Sequence, residues 1–183
     1  MEISVIGCGY VGLTTGLALA ELGHRVVLVD VLPEKLKAID EMRSPFFEPG
    51  VDEMLVKHVS SGAVRTSTDL KKAVEGTEIT FIAVGTPSRE DGSMEDGYVR
   101  SASSEIAEAI NEKNAYHVVV MKSTVVPGTT DGLIRDILEG RGLIEGSDFG
   151  LAMCPEFLRE GAAMKDSLNP DRVVIGTHDD KSF

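Results

Sequence analysis

Short apolar runs rich in Val and Ile alternate along the chain with longer segments of helical period. The apolar runs predict strands at residues 2–6, 25–30, 79–84, 117–121, 149–153 and 172–176, with a weaker strand signal at 63–65. The segments between them predict helices at residues 11–22, 33–42, 51–60, 69–74, 98–111 and 130–138. This alternation is typical of a doubly wound α/β fold, in which helices cover both faces of a mostly parallel sheet.

A glycine-rich turn joins the first predicted strand to the first predicted helix. Its pattern, G-x-G-x-x-G, occupies Gly7, Cys8, Gly9, Tyr10, Val11 and Gly12. In such a turn the first glycine makes the tight bend, the second lets the backbone approach a pyrophosphate, and the third lets the helix pack against the strand. The anion then lies at the helix N-terminus. The strand-turn-helix context therefore predicts a Rossmann-type dinucleotide site.

An acidic residue at the end of the second predicted strand supports this prediction. Asp30 follows the turn at about the 20-residue spacing at which a carboxylate accepts the ribose hydroxyls of the adenosine half. Because a carboxylate repels a 2'-phosphate, Asp30 favours NAD over NADP. Lys35 has two interpretations, a contact to the adenosine ribose region or a solvated lysine on the second helix.

Three polar segments each follow a predicted strand. Because ligands bind beyond the carboxyl ends of parallel strands in doubly wound folds, we expect all three to face one crevice. The irregular stretch 85–97, rich in Gly, Asp, Ser and Glu, is predicted to be a surface loop. The three segments are Gly85-Thr86-Pro87, residues 122–129 and residues 154–161.

From the glycine turn to Pro170-Asp171-Arg172, nearly the whole chain resembles the UDP-glucose/GDP-mannose dehydrogenase family. The specific motifs lie at residues 81–87, 122–128 and 155–161, and Glu48-Pro49-Gly50 also fits the family pattern. The resemblance implies that the protein takes part in oxidising the C6 hydroxymethyl of a sugar nucleotide to a carboxylate while two NAD are reduced. NAD and a nucleotide sugar are thus the implied partners.

The resemblance also implies residue roles. Thr124, Glu156 and Glu160 match catalytic positions, with Thr124 and Glu160 holding a catalytic water. If residues 156–160 form a helical turn, both carboxylates share one face and favour proton transfer near neutral pH. The implied substrate contacts are Glu156, Phe157, Leu158, Arg159 and Glu160. The implied cofactor contacts are Gly7, Gly9, Tyr10, Val11, Gly12, Asp30, Lys35, Thr86, Pro87, Thr124 and Glu160.

The family's second oxidation passes through a covalent thiohemiacetal and thioester on a cysteine. Cys8 lies inside the glycine turn and Cys154 does not match the nucleophile position, so we interpret both as small buried residues. In the family the nucleophile, an oxyanion-stabilising lysine and a second nucleotide-binding domain follow the matched region. We therefore expect residues 1–183 to be one NAD-binding domain, inactive alone, at the N-terminus of a longer dehydrogenase whose central helix and C-terminal domain are not in this chain.

Composition narrows the partners. A formal net charge of -12 would repel a nucleic-acid backbone, although a dinucleotide still binds through a helix N-terminus and local cations. The two cysteines and four histidines show no metal-ligand spacing, and no apolar run is long enough to span a membrane. We expect a reducing, cytoplasmic setting, no metal, a homodimeric full-length protein and weak association of this chain alone.

Several functions remain open on the sequence alone. Oxidation of UDP-glucose is the leading interpretation, because the stretch 170–174 favours UDP-sugars, and the loop 86–93 fits either UDP-glucose or GDP-mannose. UDP-N-acetylmannosamine is a further candidate substrate. A free-standing NAD-binding sensor belongs to a different class, but it would not need Thr124, Glu156 and Glu160.

Overall fold

The computed structural model describes residues 1–182. Within this range one sheet has seven strands in the order β3-β2-β1-β4-β5-β6-β7. All neighbouring strands run parallel except β6 and β7, which pair antiparallel. The strands are β1 Glu2–Ile6, β2 Arg25–Val29, β3 Val64–Ser67, β4 Ile79–Ile82, β5 His117–Met121, β6 Phe149–Met153 and β7 Gly176–Thr177. The doubly wound α/β prediction is confirmed.

Helices connect the strands. Asp69 caps the fourth of them, since its side chain accepts a hydrogen bond from the Lys72 backbone N–H at 3.1 Å. A π-helical turn, Thr129–Ile134, leads into the sixth helix, and a 3₁₀ turn covers Asp180–Ser182. The α-helices are α1 Tyr10–Glu21, α2 Pro33–Asp40, α3 Val51–Ser60, α4 Leu70–Glu75, α5 Gly97–Lys113, α6 Arg135–Glu139 and α7 Ala163–Leu168.

The sheet has a hydrophobic core on each face. Because successive strand residues point to opposite faces, Val5 belongs to one core and its neighbour Ile6 to the other. The Val5 face packs against α1, α2, α3 and α7, and the Ile6 face packs against α4, α5 and α6. Strands buried on both faces explain why the sequence shows short continuous apolar runs instead of strict alternation.

The structure differs from the sequence predictions in two places near the end of the chain. The strand predicted at 172–176 is only the two-residue β7, and Val173, Val174 and Ile175 are 64%, 46% and 40% exposed. The apolar run therefore lies on the surface instead of in the sheet. The helix α7 was not predicted, because six residues are too few to show a helical period.

The strand order reverses next to β1. β1 lies between β2 and β4, so the chain goes out to β3 on one side and returns to β4 on the other. In open parallel sheets this reversal leaves a crevice beyond the carboxyl ends of the two strands. The ends of β1 and β4 therefore mark the expected ligand site.

Candidate dinucleotide site and substrate segment

The glycine turn is packed so tightly that it excludes side chains at two of its three glycines. Gly7 has a φ of +99°, and a β-carbon there would lie 2.6 Å from the Ala83 backbone oxygen beyond β4. A β-carbon on Gly12 would lie 1.8 Å from the Gly7 backbone oxygen. The tight bend and the close packing of helix on strand are thus both present at the reversal of strand order.

Gly9 differs from these two glycines. A β-carbon there would have no heavy atom of residues 1–182 within 4 Å outside its chain neighbours, so the backbone borders open space. Gly9 also precedes α1, and no side chain of the described residues caps that helix end. The first N–H groups of α1 are consequently free to donate to an anion. The turn fits a pyrophosphate approaching at Gly9.

Asp30 lies just beyond β2, with only 6% of its surface exposed. Its Oδ2 accepts from the Cys8 backbone N–H at 2.8 Å and its Oδ1 from the Leu32 backbone N–H at 2.9 Å. The Lys35 ammonium lies 3.3 Å from Oδ2. These bonds fix the carboxylate beside the turn, and Oδ1, which accepts only one of them, retains accepting capacity for a ribose hydroxyl.

Cys8 is fully buried inside the turn. Burial, reinforced by the negative charge of Asp30, raises the pKa of its thiol to about 12. Cys8 is therefore a protonated packing residue at neutral pH, as expected. Cys154 is half-buried instead of fully buried, and the Lys122 Nζ lies 3.7 Å from its Sγ.

The segments after β4 and β5 meet at the same sheet edge. The Thr86 hydroxyl donates to the Thr124 backbone oxygen at 2.8 Å, and the Ser123 hydroxyl donates to the Val84 backbone oxygen at 2.6 Å. Met121 of β5 lies opposite Met153 of β6, so Thr124 and Glu156 each follow this pair by three residues. The structure thus brings the Thr86, Thr124 and Glu156 segments to one edge.

The segment after β6 does not form the helical turn expected for residues 156–160. The chain there is irregular, and the Glu156 carboxylate accepts from the Leu158 backbone N–H at 2.9 Å. This bond from a side chain to the nearby backbone takes the place of a helical turn. Glu156 and Glu160 therefore do not share a helical face. Leu158 is half-buried, whereas Phe157 and Glu160 are exposed.

Arg159 is engaged within the chain. Its Nε and terminal nitrogen donate to the two oxygens of Asp166 at 2.9 and 2.6 Å, and its backbone N–H donates to the same carboxylate at 3.1 Å. This hydrogen bonding lowers the pKa of Asp166 to about 2, so the pair stays ionised at neutral pH. The guanidinium therefore orders the segment before α7.

Sequence reasoning assigned no role to Glu48. In the structure Glu48 is buried, and its carboxylate accepts from the Tyr10 hydroxyl at 2.6 Å and from the backbone N–H groups of Gly161 and Ala163 at 2.8 and 2.9 Å. The one available signal was the Glu48-Pro49-Gly50 motif, which fits the family pattern. Nothing in that motif indicates a contact with residues more than a hundred positions later.

An open groove of about 470 Å³ lies between α1 and the chain that follows β6. Thr15 and Ala18 of α1 line one side, and Cys154, Glu156 and Phe157 line the other. Among residues 1–182 no three His, Cys, Asp or Glu side chains cluster as metal ligands would. No described helix is both long and apolar enough to cross a membrane.

The glycine turn, the buried Asp30 and the reversed strand order define a Rossmann-type dinucleotide-binding domain. The chain belongs to the UDP-glucose/GDP-mannose dehydrogenase family, whose NAD binding domain matches residues 1–183. The family comprises NAD-dependent sugar-nucleotide dehydrogenases.

Both GDP-mannose 6-dehydrogenases and UDP-glucose 6-dehydrogenases are similar to the chain. It is 42% identical to GDP-mannose 6-dehydrogenase of Pseudomonas syringae pv. tomato over 183 residues, which are 100% of this chain and 42% of the relative. It is 45% identical to UDP-glucose 6-dehydrogenase of Rhizobium meliloti over 177 residues, 96% of this chain and 39% of the relative. The chain thus spans about two fifths of the length of these curated relatives.

Solved structures agree in fold. A ternary complex of GDP-mannose dehydrogenase from Pseudomonas aeruginosa superposes with a TM-score of 0.97 at 41% identity, covering 100% of this chain and 42% of that one. A UDP-glucose dehydrogenase from Pyrobaculum islandicum superposes with a TM-score of 0.93 at 43% identity, covering 98% and 41%. These likenesses confirm the Rossmann-type fold.

Proposed function

We propose that this chain is the NAD-binding, N-terminal domain of a sugar-nucleotide 6-dehydrogenase, with UDP-glucose as the first candidate substrate. The main support is the meeting of the glycine turn with the Thr86, Thr124 and Glu156 segments at one sheet edge. A module that only senses NAD would need the turn but not those segments. Because the chain covers only 42% of relatives such as the Pseudomonas syringae enzyme, the reaction of the whole protein is part of this proposal.

The cofactor is proposed to bind along the turn. Its pyrophosphate would lie at Gly9 and the free N–H groups of α1, with Tyr10 and Val11 lining the same helix end and Gly7 and Gly12 keeping the turn closed. Asp30 would accept the adenosine ribose hydroxyls, and Lys35 would orient that carboxylate from 3.3 Å. Thr86, Pro87 and the exposed Thr124 would border the nicotinamide half.

The sugar nucleotide is proposed to contact residues 156–160 in the groove beside α1. NAD, when bound, supplies the hydride acceptor for each of the two oxidations that convert the C6 alcohol to an aldehyde and the aldehyde to an acid. Thr124 and Glu160 would hold the water that supplies the second carboxylate oxygen, and Glu156 would handle protons at the same edge. All three roles depend on positions beyond the carboxyl ends of β5 and β6.

Three hexose nucleotides are candidate substrates, and the sequence and the relatives favour them to different degrees. Residues 170–174 favour UDP-glucose, whereas the 42% identity to the Pseudomonas syringae enzyme favours GDP-mannose as the second candidate. UDP-N-acetylmannosamine is a third, since a UDP-N-acetyl-mannosamine dehydrogenase from Staphylococcus aureus shares the fold at a TM-score of 0.86. The full-length protein is proposed to form homodimers in a cytoplasmic setting.

The deciding experiment measures NADH formation by the full-length protein with UDP-glucose, GDP-mannose and UDP-N-acetylmannosamine in parallel. The expected result is about two NADH per UDP-glucose and a uronate identified by mass spectrometry. A higher kcat/KM with GDP-mannose would replace the substrate but keep the class of reaction. NAD binding without turnover of any hexose nucleotide would favour the sensor interpretation.

A further inference from the structure

Glu48 is a buried carboxylate for which the proposed roles above leave no function. It lies in the loop between α2 and α3, two residues before Gly50. Gly50 is the N-cap residue of α3 and has a φ of +83°. Only 6% of the surface of Glu48 is exposed. A carboxylate so deeply buried is costly unless its oxygens are hydrogen-bonded, so its partners indicate what it holds in place.

Its partners come from two distant parts of the chain. One is the Tyr10 hydroxyl on the first residue of α1, 2.6 Å from Oε2. The others are the Gly161 N–H, 2.8 Å from Oε2, and the Ala163 N–H, 2.9 Å from Oε1. The same Tyr10 hydroxyl also lies 3.3 Å from the Arg159 backbone oxygen. Glu48 therefore joins the nucleotide-binding turn to the chain that directly follows Glu160.

The charges in this cluster are well defined. Burial opposes ionisation of Glu48, but the hydrogen bonds from Tyr10, Gly161 and Ala163 outweigh it and hold the pKa of the carboxyl below its usual range. Burial and the bond to Glu48 raise the pKa of the Tyr10 hydroxyl, so the phenol keeps its proton and donates it. The cluster is consequently an anion bound by three donors at neutral pH.

We propose that Glu48 is a positioning residue that holds the segment carrying Glu156 and Glu160 against the nucleotide-binding turn through Tyr10. This role rests on the proposed function, because it matters for catalysis only if NAD and the sugar nucleotide meet there. It also predicts coupling between the two sites. A nucleotide bound at the N-terminus of α1 restrains Tyr10, and Tyr10 restrains Glu48 together with the amides of Gly161 and Ala163.

The test uses amide hydrogen exchange of the chain by NMR, with and without saturating NAD. In the native chain NAD should slow exchange at Ala163 several-fold. In Glu48→Gln the Ala163 amide should exchange about tenfold faster or more, because the charge is removed and an NH2 that cannot accept replaces one of the two oxygens that three donors share. The NAD dissociation constant should stay within about threefold, because Glu48 does not touch the open side of Gly9.

Glu53→Gln is the matched control, since Glu53 is an exposed carboxylate on the adjacent helix α3. Its Ala163 exchange and NAD affinity should equal those of the native chain. The Arg100 amide, which bonds to the Asp96 backbone oxygen at the start of α5, should exchange at the native rate in every variant. Faster exchange there would indicate general loosening of the fold.

Tyr10→Phe separates coupling from packing, because it removes one hydroxyl and leaves Glu48 bonded to Gly161 and Ala163. The NAD affinity of Tyr10→Phe is measured first, and at an NAD concentration that saturates this variant NAD should no longer slow exchange at Ala163. An unchanged NAD effect in Tyr10→Phe, or native exchange at Ala163 in Glu48→Gln, would overturn the role of Glu48. Failure of the native chain to bind NAD would instead refute the proposed function, and the NAD-free exchange rates would still decide whether Glu48 holds the segment.

Discussion

Gly9 and Gly12 lie in the same turn, but a β-carbon would meet different surroundings at each. At Gly12 it would lie 1.8 Å from the Gly7 backbone oxygen, whereas at Gly9 it would point into open space. The φ of Gly9 is -78°, which alanine adopts without strain. One glycine is therefore required by the fold, and the other is expected to be required by the ligand.

Gly12→Ala should accordingly reduce the free energy of unfolding by about 3 kcal/mol, because the backbone must move to relieve the overlap. Gly9→Ala should change the free energy of unfolding by less than about 1 kcal/mol but weaken NAD binding at least tenfold, because the methyl group occupies the approach of the pyrophosphate. Urea unfolding and titration calorimetry measure the two quantities. An NAD affinity of Gly9→Ala equal to that of the native chain would show that the pyrophosphate does not bind next to Gly9.

Asp30 is expected to decide between the two nicotinamide dinucleotides. We expect the native chain to bind NAD at least tenfold more tightly than NADP, because the buried carboxylate repels a 2'-phosphate. Asp30→Asn should reduce this ratio, since it removes the charge and keeps the shape. Lys35→Gln serves as the control and should keep the preference for NAD. Calorimetric titration with both cofactors tests this, and tighter NADP binding by the native chain would refute the role of Asp30.

A buried polar network joins three strands and a helix. It lies towards the amino ends of the strands, away from the edge where the ligand is proposed to bind. The His117 Nε2 on β5 lies 2.7 Å from the Thr80 hydroxyl on β4, which lies 2.6 Å from the Ser4 hydroxyl on β1. Lys113 of α5 lies 3.2 Å from the His117 Nδ1. Because an ammonium can only donate, Nδ1 accepts and Nε2 carries the ring proton.

This network makes stability depend on pH. Burial, together with the positive charge of Lys113, lowers the pKa of His117 to about 3, against an unfolded value of 6.5. Between these values the unfolded chain binds a proton that the folded chain excludes, so stability is full above pH 6.5 and falls as the pH drops towards 3. His117 should contribute a loss of about 3 kcal/mol between pH 6.5 and 4. Denaturant unfolding of the native chain and of His117→Gln between pH 4 and 6.5 checks this. An identical dependence of the free energy of unfolding on pH in the two proteins would contradict it.

The strength of each sequence signal explains which elements could be predicted. The strands β1, β2, β4, β5 and β6 were predicted to within two residues, because each is a short and largely buried apolar run, rich in Val or Ile in all but β6. The run 172–176 has the same composition but lies exposed, which no local pattern distinguishes. The expected helical turn at 156–160 was wrong because the Glu156 carboxylate bonds to the Leu158 backbone instead.

The candidate site divides in the same way. Gly7, Gly12 and Asp30 could be placed from spacing alone, since a turn between a strand and a helix has few solutions. The meeting of Thr86 with Thr124 followed from the rule that parallel strands end at one edge. Glu48 could not be found, because its partners at Gly161 and Ala163 become neighbours only after the whole domain has folded.

At the scale of the whole molecule, the chain is expected to bind NAD but to form no sugar acid by itself. Its sequence contains two cysteines, and the family's second oxidation requires a thiolate that attacks the aldehyde. The Cys8 thiol is buried in the core on the Val5 face and has its pKa raised to about 12, so it cannot serve as that nucleophile. Cys154 is only half-buried, and Lys122 lies beside its Sγ, which makes it the one alternative to exclude.

Incubating the purified chain with NAD and UDP-glucose should therefore give no sustained NADH absorbance and no uronate by mass spectrometry. Without a thiohemiacetal the aldehyde offers no covalent intermediate from which NAD can accept the second hydride, so oxidation to the acid would be slower by several orders of magnitude. Cys154→Ser is the matched variant and should behave like the native chain. Uronate formed by the native chain and abolished in Cys154→Ser would identify Cys154 as the nucleophile and show that these residues contain a complete active site.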